Sequence, residues 1–169
     1  MHHVVFFLIK SFFDSGLWNR KKGAFIMSHL ETFDTTIQKT NIWLKDIMED
    51  EGWEDRHKSY LALRAVLHAL RDRLGVQEAV HLASELPMLV RGFYFEGWDP
   101  SGKPERIRSK EEFLEKIAQG LPDDPELDPE RVARGVFALL AKKISEGEIN
   151  DIKSILPKEI RELWPRGNA

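Results

Sequence analysis

The sequence predicts an all-α fold: two tandem homologous helical-hairpin repeats packed as one helical bundle. Three observations carry this expectation. Glu, Lys, Arg, Leu and Ala are plentiful and β-branched runs are scarce, which favours helix. Leu63, Leu67, Leu70 and Leu74 recur at i, i+4, i+7 and i+11, the stripe of one helical face, and Ala133, Phe137, Leu140 and Ile144 repeat it. Finally, "SELPMLVRGFY" from Ser84 and "SILPKEIRELW" from Ser154 share the phrase Ser-x-Leu-Pro-x-x-x-Arg about seventy residues apart.

Aligning Arg64 with Arg134 matches residues 43–94 to residues 113–164 without a gap. Identities include Val66/Val136, Leu70/Leu140, Glu78/Glu148, Leu86/Leu156, Pro87/Pro157 and Arg91/Arg161. A fixed offset over this length implies one supersecondary unit used twice. Each copy alone is small for a stable core, so the two are expected to pack together.

Taken in order, residues 1–26 read as a leader, either translated from too early a start or disordered. The apolar run Val4 to Ile9 is cut by Lys10, too short for a bilayer span of about twenty residues or a secretory core. Met27 opens "MSHLETFDTTIQ", and the codons for Lys22-Gly23-Ala24 can spell a ribosome-binding sequence just upstream. The alternative is an interfacial anchor on Phe6, Phe7, Phe12 and Phe13.

Repeat 1 spans residues 27–98. Phe33, Ile37, Leu44 and Ile47, joined by Met48, place the apolar face of its first helix. The leucine stripe forms the next helix. Proline lacks a backbone N–H and disfavours helix at the residue before it, so Leu86-Pro87 and Leu156-Pro157 each end one helix and begin another. Leu89, Val90 and Phe93 then supply the last apolar face. Residues 99–108, rich in Gly and Pro, read as a turn and linker.

Repeat 2 spans residues 109–165, with a tail at 166–169. Ser109-Lys-Glu-Glu112 and Ser145-Glu-Gly-Glu148 fit the capping box. Asp128 before Pro129 supplies an N-cap followed by proline at the first helical position. Ile160 and Leu163 face the core from the final helix.

Of the 169 residues, 42% are apolar and 31% charged, the balance of a globular protein. The formal charge of −3 is split as +3 on residues 1–26 and −6 on the rest. An acidic body is a poor general nucleic-acid binder, because phosphate affinity rests on Lys and Arg. The chain has no cysteine, which excludes disulfides, thiolate metal sites and cysteine nucleophiles and suits a cytoplasmic protein.

"KTNIWLKDI", "ALRAVLHALRDRL", "LPMLVRGFYFEGWDPSGKP" and "ILPKEIRELWP" resemble the uncharacterised prokaryotic family known as domain of unknown function 2267. The resemblance covers residues 27–165. It implies a small tandem helical protein and carries over no reaction, substrate or catalytic residue.

The residues themselves offer no catalytic set. Ser84 and Ser154 sit beside the corners, where serine serves local backbone groups, and no Gly-rich loop cradles a phosphate. "DDPELDPE" lacks calcium-loop spacing. The binding candidates are Arg91, Tyr94 and Trp98, with Phe93 and Phe95 beside them, since Trp, Tyr and Arg dominate interface hot spots. The competing reading is that these rings seal the junction between the copies.

Arg64 and Arg134, on the flank of the stripe, are further cations, for which the alternative reading is an acidic group of their own bundle. Lys103, Arg106, Arg108 and Lys110 form a basic linker patch whose phosphate reading is outweighed by acidic surroundings. The expected function is therefore a non-enzymatic binding or regulatory module for a protein or small ligand, with no cofactor and no membrane span. The alternative is a metal-dependent protein or enzyme using His68, His81 and Glu85, provided that adjacent helices bring them together. No His-x-x-x-His pair exists to place two ligands on one turn.

Overall fold

The computed structural model describes residues 30–166. The leader and anchor readings of residues 1–26 lie outside these. Eight helices and no strand occur among the described residues. They are α1 (Glu31–Glu51), α2 (Arg56–Arg73), α3 (Val76–Glu85), α4 (Met88–Tyr94), α5 (Lys110–Ala118), α6 (Pro129–Lys143), α7 (Glu146–Ile155) and α8 (Lys158–Arg161). None is long and apolar enough to cross a membrane.

Helix α1 buries Thr36, Thr40, Trp43, Leu44 and Ile47. Its inward face therefore differs from the one expected, because Phe33 and Ile37 are exposed. The reason is hydrogen bonding. Thr40 Oγ1 donates to Thr36 O at 2.8 Å, and Thr36 Oγ1 accepts from Leu89 N at 3.0 Å. An amide left over at the start of α4 thus draws two threonines inward and rolls the first two turns. The far end closes as a Schellman motif: Trp53 N donates to Met48 O at 2.9 Å and Gly52 N to Glu49 O at 3.3 Å. Gly52 takes φ +69° there, a conformation open to glycine at no Cβ cost.

Asp55 caps α2 through His57 N, Ser109 caps α5 through Glu112 N, and Asp128 caps α6 through Arg131 N. The two proline corners have one geometry. Leu86 N and Leu156 N bond back to Ala83 O and Lys153 O, while Arg91 N and Arg161 N bond to Pro87 O and Pro157 O. Ser84 Oγ donates to His81 O and Ser154 Oγ to Asp151 O, both at 2.7 Å, the local role expected of them.

Helices α2 and α6 pack on one another at the centre, and α5 packs on both. Helix α4 lies on α2 and α3, α3 on α7, α7 on α6, and α8 on α5. Leu63, Leu67, Leu70 and Leu74 are fully buried, each contributing about 1.5–3 kcal/mol of transfer free energy. Helix α1 is tied to α6 by Asp46–Lys143 and Asp50–Lys142, each at 2.7 Å, and by Glu51–Arg131 at 2.6 Å.

Residues 99–108, expected as a turn and linker, are tied to α2. Glu105 N donates to Asp72 O at 2.8 Å, Ile107 is buried, and Arg73 Nε donates to Ile107 O at 2.8 Å. The basic patch is likewise divided. Lys103 pairs with Glu105 at 2.7 Å and Lys110 with Glu130 at 3.1 Å, while Arg106 and Arg108 are exposed.

Candidate functional site

The segment Arg91 to Trp98 spans the end of α4 and the turn that follows. Arg91 is exposed. Tyr94 is 0% exposed and its hydroxyl donates to Ala79 O at 3.0 Å. Burial pushes its phenol well above the ordinary range. Tyr94 is thus a core side chain rather than a presented one, which corrects one of the three binding expectations. Phe95 packs edge-on to Tyr94 at 4.8 Å and carries Trp98 at 5.1 Å. Trp98 is half-buried, and its Nε1 has no hydrogen-bond partner.

His68 is held from the same stretch. Its Nε2 lies 2.7 Å from Phe93 O, and a carbonyl oxygen only accepts, so Nε2 carries the proton. Burial lowers the His68 pKa against the opposing pull of that carbonyl, aided by Arg71 and Arg64. Above it, Arg64 donates Nε and Nη2 to the Glu96 carboxylate at 2.9 and 2.7 Å. That is the intramolecular acidic partner of the alternative reading for Arg64.

The metal alternative loses its ligands to other work. His68 is committed to Phe93 O. Glu85 accepts from both the amide and the hydroxyl of Ser145, capping α7 from the other half of the molecule. His81 is exposed. It lies near Glu148, whose pKa is raised by burial and by Glu85, Asp151 and Glu78, with His81 opposing. Among the described residues no group of three or more metal-capable side chains forms. Both predicted capping boxes are also only half made: Glu112 accepts from Arg108 N at 2.7 Å instead of Ser109 N, and Glu85 takes the Ser145 amide.

Two features escaped sequence reasoning. One is a buried ionic knot at the end of α2. Arg71, 4% exposed, donates Nε to Asp72 Oδ1 at 2.9 Å and Nη1 to the carbonyls of Tyr94 and Glu96. Lys103 and Lys116 each stand 3.4 Å from the Asp72 carboxylate. Its signal in the sequence is a mismatch at the 70-residue offset, Arg71-Asp72 against Ala141-Lys142.

The other is a cleft of about 930 Å³ where Arg134, Lys158, Arg161 and Arg166 surround Leu163 and Trp164. Its signal was the cation density of "PKEIRELWPR". Arg134 itself donates Nε and Nη2 to Glu130 at 3.0 and 2.6 Å and Nη1 to Glu162 O at 2.9 Å, again an acidic partner from its own bundle.

Compared with known proteins, the family model described as "Uncharacterized conserved protein (DUF2267)" matches residues 40–163. No curated protein matches the chain.

Proposed function

The chain belongs to the DUF2267 family, and we propose that it is a non-enzymatic binding or regulatory module that meets a protein or small ligand at the face around Arg91 and Trp98. The observation that carries the reading is an exposed cation and a half-buried indole on one short stretch. Arg91 is exposed without an ion pair to any described residue, and Trp98 keeps part of its ring at the surface beside Phe95. Both residue types concentrate binding energy at interfaces. The module acts in the cytoplasm in this reading.

The same proposal includes two tandem copies of one helical unit, residues 27–98 and 109–165, joined by residues 99–108. Helix boundaries support it: Val76–Glu85 and Glu146–Ile155 are offset by 70 residues, as are the ends of α2 and α6 at Arg73 and Lys143. A photo-crosslinking residue at Arg91, and another at Glu49 on α1, would test the binding face in cells of the natural host. A discrete adduct from position 91 that disappears in Trp98→Ala supports the reading. Identical adducts from both positions would sink it.

A further inference from the structure

Position 96 and position 166 correspond under the offset of 70 and carry opposite charges, Glu96 and Arg166. After α4, the Glu96 carboxylate sits on the Arg64 guanidinium at 2.7 Å, so that half supplies its own anion. After α8, the corresponding guanidinium is clamped by Glu130 and the Glu162 carbonyl. No chain carboxylate arrives from position 166, and a fourth cation stands there.

The outcome is the cleft of about 930 Å³, lined by Arg134, Lys158, Arg161 and Arg166 against one carboxylate, Glu162. Lys158, Arg161 and Arg166 are exposed and make no ion pair with a described residue. Trp164 at the cleft floor is 3% exposed, stacked on Phe137 at 4.3 Å, and its Nε1 has no acceptor. Like charges gathered round a concave surface repel one another and raise the local potential until a counter-charge enters.

We infer that this cleft docks an acidic peptide segment of a partner protein, whose carboxylates meet Lys158, Arg161 and Arg166, the lining cations that no described carboxylate engages. Three features favour a peptide over a free inorganic anion. The anion that the molecule itself uses at the matching place is a glutamate side chain. The cleft has room for on the order of thirty waters, far more than one small anion needs. The exposed Pro165 gives its wall an apolar patch suited to a peptide's side chains. The site lies at residues other than those of the Arg91–Trp98 face, so either can fail without the other.

The test is fluorescence anisotropy of a fluorescein-labelled hexaglutamate peptide titrated with the full chain at low ionic strength. Binding should weaken with added salt, and Arg161→Glu and Arg166→Glu should each raise Kd by at least about tenfold. Lys45→Glu, at an exposed position of α1 that does not line the cleft, should leave Kd within about twofold, because a charge outside the contact acts only through a screened field. Both cleft arginines are exposed, so the fold is retained, and far-ultraviolet circular dichroism checks it. Arg161→Gln serves if a reversal disturbs it.

Absence of binding at low salt, or unchanged binding in both cleft variants, overturns the inference. So does displacement of the peptide by inorganic phosphate at lower concentration than by unlabelled hexaglutamate, which would make the occupant a phosphate. A dimer of the chain alone in sedimentation equilibrium, lost in Arg161→Glu, would make it a second copy and overturn the inference too.

Discussion

Helices α2 and α6 end in the same way, yet the residues beside their ends live in opposite surroundings. On α2, Arg71 and Asp72 are 4% and 6% exposed, enclosed with Lys103, Glu105 and Lys116. On α6, Ala141 and Lys142 face solvent, and Lys142 reaches only to the exposed Asp50. The difference lies in what crosses each helix end. Residues 94–107 and α5 come down over α2, delivering the carbonyls of Tyr94 and Glu96 together with Lys103 and Lys116. A buried charge survives only with partners and hydrogen bonds. The covering segment and the charges beneath it therefore form one unit.

The comparison breaks first at Arg71. Arg71→Ala leaves two carbonyls and Asp72 short of a partner and should cost about 3–5 kcal/mol in urea denaturation. Ala141→Arg, at the matching exposed place, should fall within about 0.5 kcal/mol of the parent. Similar losses at both positions would erase the distinction between knot and surface.

Acid should dissolve the knot from its centre. Burial raises the Asp72 pKa, but the Arg71 hydrogen bond and charge, with Lys103 and Lys116, outweigh it and hold the carboxyl below its ordinary value. A folded-state pKa below the unfolded one gives stability that is present above about pH 4 and lost as pH falls through the folded value. Asp72→Asn should therefore cost about 1.5–3 kcal/mol near neutrality, with the gap to the parent closing on acidification below about pH 4. A gap independent of pH would show that Asp72 acts by shape alone.

Tyr94→Phe strips the hydroxyl from Ala79 O, which keeps its place in the α3 ladder, a loss of about 1 kcal/mol. Trp164, at the matching place, has no such bond to lose from Nε1 and acts through its stack on Phe137. Among the side-chain removals the smallest loss belongs to Lys142→Ala, less than about 1 kcal/mol and vanishing at high salt, as for exposed pairs. A large loss there would mean that α1 depends on this one bridge.

Much of the helical grammar was legible in advance. The N-caps Ser109, Asp128 and Ser145, the two Leu-Pro corners and the leucine stripe all appear where local chemistry put them. The misreadings share one cause. Phe33 and Ile37 gave up the inner face to threonines because of Leu89 N, fifty-three positions from Thr36. Glu85 left the supposed metal set for Ser145, sixty positions away. Tyr94, a binding candidate whose competing reading was a junction-sealing ring, found Ala79 O inside.

By itself, then, the amino-acid sequence determined the helical class, the helix starts and turns, and which faces are apolar. Those choices depend on backbone groups and side chains within about four residues of each other. Tertiary structure alone decided which charges lose water and which stay free: Arg71 enclosed, Glu96 spent on Arg64, Arg161 and Arg166 left facing an open cleft. Desolvation depends on everything packed around a group, and the partners that offset it come from segments distant in the chain.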